Sequence, residues 1–381
     1  MIKNKKICFN ATNLHFGGGV TVASSFFTNL SNQKPKIFDC TILASSKVDN
    51  TLSILTKKKL KKFHRIKYKI LDTFQFNVAK LFFFFKKNKF DIIFTIFGPL
   101  YIFNKKYKSI VGFAQALIIY PNNEYFKLLN IFDLLIVKLK FLIQSFFFKK
   151  ADLFIVELDH VKKGLIRQFG ISPDRIHVVK NCVSNIFTNQ SCWYKISIPE
   201  IKNIDLKLGF VGRNYLHKNT AIFPKAAEIL KNNYNINVKF YVTFSKIEWS
   251  LCSNDFYKHC YNVGPLEVNQ CPNFYKFVDA IVFPSLIESF SIIPLESMVM
   301  GKPLFASNRF FNKEICGSHA YYFDPLSPKS LARKINYFIK SGGQTNFQKI
   351  AARKHALSFS NPKKRALDYV NIINNFVNSN D

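Results

Sequence analysis

Residues 279–307, DAIVFPSLIESFSIIPLESMVMGKPLFAS, constrain the fold of this chain more than any other stretch. A short β-rich apolar run at 279–283 stops at Pro284-Ser285, and a second run at 303–306 is entered through Gly301. Between them, residues 294–300 read as a helix with Pro at its first position, where a missing N–H costs nothing. Two strands joined so tightly through a helix form a βαβ unit, so they must be parallel. In parallel sheets, ligands sit beyond the carboxyl ends of the strands, which here is the loop 285–293. Glu288 and Glu296 flank that loop with seven residues between them. Ser289, Ser291 and the free N–H groups at the helix start, 292–295, suit an anion placed there.

The rest of the chain repeats the strand-and-helix alternation. Apolar strands are expected at 6–10, 41–44, 91–97, 110–114, 151–156 and 176–179, and helices at 20–30 and after 156. Residues 188–204 are polar and irregular and contain Pro199, as an interdomain linker would. At 381 residues the chain is too long for one ordinary core. The expected division is a first domain over 1–187, the linker 188–204, a second domain over 205–358 and a last helical segment over 359–381. The second domain opens with KLGFVGRNYLHKN, residues 207–219. A strand runs into Gly212, and Arg213 and Lys218 follow it. A planar donor fork and a compact point charge at a strand's carboxyl end are what a diphosphate needs.

Taken together, the Gly-Arg…Lys loop and the E-x7-E loop resemble the retaining glycosyltransferases of the family 4 type, which have the GT-B fold. That resemblance implies an α/β architecture of two Rossmann-like domains with parallel sheets facing an interdomain cleft. It implies that Arg213 and Lys218 bind the nucleotide phosphates, Glu296 holds the ribose and Glu288 lies against the donor sugar. The backbone from Ser289 through Phe290, Ser291 and Ile292 would meet the sugar and diphosphate. One departure is that Ser291 stands where the family usually has Gly. Residues 261–266, YNVGPL, resemble the loop that frames the base, which brings in Gly264 and Leu266. Residues 15–20, HFGGGV, resemble an early Gly-Gly loop and bring in Gly18 and Gly19 on the first domain. His15 and Gln115 are the nearest polar groups for the acceptor or donor-sugar side, Gln115 where relatives often have His. Neither is an evident general base, and the leaving phosphate is expected to take the proton.

No Asp-x-Asp occurs anywhere, so neither metal nor cofactor is expected, and the diphosphate charge falls to Arg213, Lys218 and the helix start. The expected partners are a nucleotide-diphosphate sugar and a saccharide acceptor, lipid-linked, in surface-polysaccharide synthesis such as that of O-antigen and lipopolysaccharide. Eight scattered cysteines form no C-x-x-C pair, which fits free thiols in a reducing cytoplasm. The first ten residues lead straight into a strand and do not read as a signal peptide.

Net charge is +32, with 32 Lys/Arg against 11 Asp/Glu in residues 1–200, and residues 51–90 carry twelve basic residues and a single acid, Asp72. Such a field attracts polyanions of any kind. An anionic membrane surface is the expected one, with no nucleic acid, so the protein should lie peripherally on the inner face of the cytoplasmic membrane. Residues 128–148 are long enough to tempt a membrane span, but Asp133, Lys138, Lys140 and Gln144 interrupt them. They fit either a helix packed in the domain or one lying at a membrane surface. Two other readings remain open from sequence: a polybasic, non-catalytic membrane or nucleic-acid binder, and a sugar-nucleotide epimerase or phosphorylase of similar fold. A pure binder has no need of Glu288 and Glu296 behind a Gly-Arg…Lys loop.

Overall fold

A computed structural model describes residues 5–33, 39–62, 66–73, 78–102 and 106–378. The chain divides into two units. The first takes residues 1–121, 130–181 and 361–381, and the second takes 122–129 and 182–360.

The first unit is built on a seven-stranded sheet: β1 (Lys6–Ala11), β2 (Asp39–Ala44), β3 (Ile66–Ile70), β4 (Ile92–Thr95), β5 (Lys108–Gly112), β6 (Leu153–Val156) and β7 (Ile176–Val178). Their spatial order is β3-β2-β1-β4-β5-β6-β7, and every pairing is parallel. Both faces are covered, so the central strands are apolar without alternation. On one face Phe9 and Phe94 pack with Phe26 of the helix Gly18–Gln33 and Tyr369 of the helix Pro362–Asn378. On the other, Cys8 and Ile93 pack with Leu81 and Phe85 of the helix Val78–Lys87. The basic stretch 51–90 contains the helix Ile54–Lys62 and β3.

Residues 128–148 are not one continuous helix. A 3-10 turn, Glu124–Leu128, ends in the second unit, and Asn130 then caps a new helix, Ile131–Lys149, by accepting the N–H of Asp133. Of that helix only Gln144 and Phe148 are buried, so it is a surface helix and not a core one. Among the described residues, no helix is long and apolar enough to cross a membrane.

The second unit carries six parallel strands: β8 (Leu206–Phe210), β9 (Val238–Val242), β10 (Cys260–Asn262), β11 (Ala280–Phe283), β12 (Leu304–Ser307) and β13 (Tyr321–Phe323). Their order is β10-β9-β8-β11-β12-β13. β11 and β12 pair in parallel, Phe283 opposite Ala306, with the helix Ile293–Val299 between them in sequence. Residues 188–204 pack on this unit: the Tyr194 N–H donates to the Asn269 carbonyl and Asn273 Nδ2 donates to that of Tyr194.

Candidate active site

In the second sheet the chain starts at β8, runs outward through β9 and β10, then returns to β8's other side as β11. The carboxyl ends of β8 and β11 therefore flank the point where strand order reverses, the place such sheets bind ligands. Both motifs singled out in the sequence lie there, Gly212–Lys218 after β8 and 284–292 after β11.

Two contacts join these loops, and a third ties the first of them to the segment after β13. The Leu286 N–H donates to the His217 carbonyl at 2.8 Å, and Asn219 Nδ2 reaches the carbonyls of Pro284 at 3.4 Å and Pro325 at 2.7 Å. Asn219 holds the left-handed backbone (φ 55°) that closes the 3-10 turn Leu216–Lys218. Lys218 Nζ lies 2.6 Å from Glu288 Oε1, with His217 Nε2 4.0 Å from the same oxygen. Burial holds the His217 imidazole below its ordinary pKa, against the pull of Glu288. A neutral imidazole leaves Lys218 as the cation at this carboxylate.

Arg213 engages a different carboxylate. Its Nε donates to Glu248 Oε1 at 2.7 Å, and the same oxygen accepts the Asn214 N–H at 3.0 Å. Glu248 Oε2 accepts the Ser245 N–H, completing a capping box at the start of the helix Lys246–Ser250. Burial pushes the Glu248 carboxyl up, but its bond from Arg213 and those from Ser245 and Asn214 outweigh it and hold the pKa below the usual value. Arg213 stays about half exposed, and Nε is the guanidinium nitrogen that bonds Glu248.

Glu296 is the fourth residue of the helix Ile293–Val299, one place deeper than the sequence suggested, and its N–H already bonds the Ile292 carbonyl. Its Oε2 accepts the Tyr275 hydroxyl at 2.9 Å, and burial raises its pKa to about 7. Ser291 is buried, while Ser289 and Phe290 are half-buried. Among the described residues nothing hydrogen-bonds the buried Ser285 Oγ, which sits at the end of β11. Gly264 has φ 88°, donates its N–H to Asn262 Oδ1, and has open space where a Cβ would project; Leu266 beside it is half-buried.

The remaining expected residues lie on the first unit. Gly17, at φ 68°, turns the chain from β1 into the helix that begins at Gly18, and a Cβ on Gly19 would come 3.1 Å from Leu14. His15 Nδ1 is 3.6 Å from Asp72 Oδ1. Gln115 precedes the short helix Ala116–Ile119 without capping it through its side chain. Among the described residues, no group of three or more His, Cys, Asp or Glu side chains is placed to hold a metal ion.

Sequence reasoning missed Glu248, Tyr275 and His217. Ser245-x-x-Glu248 carries a capping signature that was there to be read, but its third partner, Arg213, is 35 residues away and set only by the fold.

The second half of the chain resembles a known family. Residues 195–355 match the family model "Glycosyl transferases group 1". They form a group 1 glycosyltransferase domain. The O-antigen chain mannosyltransferase RfbU of Salmonella typhimurium is 25% identical over 175 residues. That alignment takes in 45% of this chain and 46% of the relative, so the match spans about half the length of either. Solved structures are similar over nearly the whole chain. A glycosyltransferase from Rickettsia africae has a TM-score of 0.64 at 15% identity, covering 97% of both chains. Anabaena Alr3699/HepE in complex with UDP-glucose gives 0.64 at 13% identity, covering 97% of this chain and 99% of that one. The lipopolysaccharide outer core galactosyltransferase WaaB gives 0.61 at 15% identity, with coverage of 97% and 99%. The fold is thus GT-B, an α/β architecture of two parallel-sheet domains, and the group 1 domain contains both motif loops.

Proposed function

We propose that the chain is a retaining glycosyltransferase that moves a sugar from a nucleotide-diphosphate donor to a saccharide acceptor in surface-polysaccharide synthesis. The observation that carries the reading is the meeting of the Arg213–Lys218 loop and the Glu288 loop at the β8/β11 switch point, inside the group 1 domain. The structure of Anabaena HepE in complex with UDP-glucose, similar in fold, supports a nucleotide-sugar donor here.

The chemistry follows from the donors each side chain keeps in reserve. Lys218 gives one of three N–H groups to Glu288, leaving two for the diphosphate. Arg213 gives Nε to Glu248, leaving the four Nη hydrogens as a fork for phosphate oxygens. As the bond from the anomeric carbon to the phosphate oxygen breaks, negative charge grows on the leaving diphosphate, where these two cations would stabilise it. The acceptor hydroxyl forms the new bond on the same face, and its proton passes to the departing phosphate oxygen. Glu296 would hold the ribose, and Glu288, oriented by Lys218, would face the sugar. The diphosphate meets cations of the protein itself, so we propose that no metal is required. We further propose a lipid-linked acceptor, used at the inner face of the cytoplasmic membrane.

The test is a thermal-shift panel of UDP-, GDP- and ADP-sugars, followed by transfer assays with and without EDTA. Stabilisation by one nucleotide series and turnover insensitive to EDTA are expected. No stabilisation by any member would overturn the donor site, and activity restored to an EDTA-treated enzyme by magnesium would overturn the metal-free clamp.

A further inference from the structure

The helix Ile131–Lys149 wears its polarity inside out. Its buried polar residue, Gln144, faces the protein and donates to the Tyr101 hydroxyl at 3.3 Å. Facing water instead are Ile131, Phe132, Leu135, Ile136, Leu139 and Leu142, each between 59% and 75% exposed. With 3.6 residues per turn these six, together with the exposed Ile143 and Phe146, fall within an arc of about 140°. Lys138 and Lys140 sit at the two edges of that arc, and Lys149 and Lys150 close its carboxyl end, all four exposed. Asp133 is the helix's single acid. Soluble monomers rarely present so continuous an apolar strip.

A second helix joins it. The crossovers β3 to β4 and β5 to β6 advance in the same direction along the sheet, so right-handedness puts the helices 78–87 and 131–149 on one face. The segment between β4 and β5 bridges them: Leu100 and Ile102 pack with Leu81 and Phe85, while the Tyr101 ring meets Phe147 at 5.1 Å. On the 78–87 helix, Phe82 and Phe83 are exposed among Lys80, Lys86 and Lys87.

We propose that this face of the first unit, centred on residues 131–146, is a docking surface for an anionic lipid bilayer. Apolar side chains enter the acyl boundary while lysines at the rim extend to lipid phosphates. Charge selects this occupant over a second copy of the chain. Two such faces pressed together would oppose lysine to lysine on molecules of net charge +32, whereas an anionic leaflet neutralises them. The inference deepens the membrane placement proposed above and uses neither the donor site nor sugar transfer, so flotation without transfer would sink only the enzymatic reading.

The probe is flotation with vesicles of about two parts phosphatidylcholine to one part phosphatidylglycerol, beside pure phosphatidylcholine. Wild type should float with the anionic vesicles, less so as salt rises from about 0.1 to 1 M and the screening length shrinks. Leu135→Ser/Leu139→Ser/Leu142→Ser should keep its circular dichroism and lose roughly tenfold or more in partitioning. Leu139→Trp should shift its emission to the blue on adding anionic vesicles and be quenched by brominated acyl chains, which charge attraction alone would not produce. Equal flotation with neutral vesicles, none with either, or a triple variant that floats like wild type would each overturn the proposal. So would a wild-type dimer at sedimentation equilibrium that the triple variant abolishes.

Discussion

At the scale of residues, the clamp should divide its labour. Charge develops on the diphosphate in the transition state, so Arg213→Ala and Lys218→Ala should lower kcat as well as kcat/KM, by about 10²–10³-fold on the pattern of oxyanion-hole deletions. Glu296→Ala should act more on KM, because the ribose is unchanged by the reaction. Glu248→Gln keeps an acceptor for Arg213 Nε but loses the charge that orients it, and should fall between wild type and Arg213→Ala. Steady-state kinetics with circular dichroism as a folding control decides this; wild-type kcat in both alanine variants would dismiss the clamp. Glu296 also makes a pH prediction. Its folded pKa of about 7 lies above the ordinary 4.5, so the folded state holds the proton more tightly. The stability it contributes is complete below the ordinary value and is lost as pH rises through about 7. Glu296→Gln can still accept the Tyr275 hydroxyl and should match wild type near pH 4.5 but be more stable near pH 8, by about 3 kcal/mol. A melting-temperature difference that does not change with pH would contradict a buried Glu296 carboxyl whose pKa is raised. The sequence placed Glu288, Arg213 and Lys218 correctly on their loops. It had no means of showing that Lys218 would be shared with Glu288 or that Glu248 would hold Arg213, since both pairings span 35 residues or more.

At the scale of elements, β4 and β5 meet where only glycine fits. A Cβ on Gly112 would lie 1.6 Å from the Ile96 carbonyl oxygen, a backbone atom that cannot step aside without parting the strands. Gly112→Ala should therefore cost more than about 4 kcal/mol or abolish soluble expression, far beyond the usual effect of one methyl group. A variant with wild-type melting temperature would mean that the strand ends are looser than drawn. The strands themselves were legible because buried parallel strands are runs of apolar residues, and β6, β8 and β11 read directly as such. β3 was not, since IKYKI carries two lysines and lies at the sheet's edge with much of its surface exposed. The setting of the helix Ile131–Lys149, packed or on the surface, stayed open in the sequence for a related reason: periodicity reveals an apolar face but not which way it looks. The break before it belongs to the fold, because Leu129 lies in the second unit and Asn130, which caps the helix, in the first.

At the scale of the whole molecule, the two parallel sheets followed from alternating strands and helices over a chain too long for one core, and β8's central place follows from the order in which its neighbours arrive. The charge surplus, by contrast, said nothing of fold, and its meaning depends on the surface that displays it. The first unit takes in both early and late stretches of the sequence. Its core is closed by residues from opposite ends of the sequence: Tyr369 stacks edge-on to Phe26 at 5.4 Å and Phe94 at 5.6 Å, and Arg365 bonds Asn181. Removing residues 361–378 should leave the second unit folded and able to take nucleotide, while the first loses its cooperative melting transition. On the ribosome the same arrangement imposes a wait. After Asn181 emerges, about 180 further residues must be added before the closing helix begins, roughly 10–40 s at elongation rates of about 5–20 residues per second. Through that interval Phe26 and Phe94 lack the ring that covers them in the finished unit.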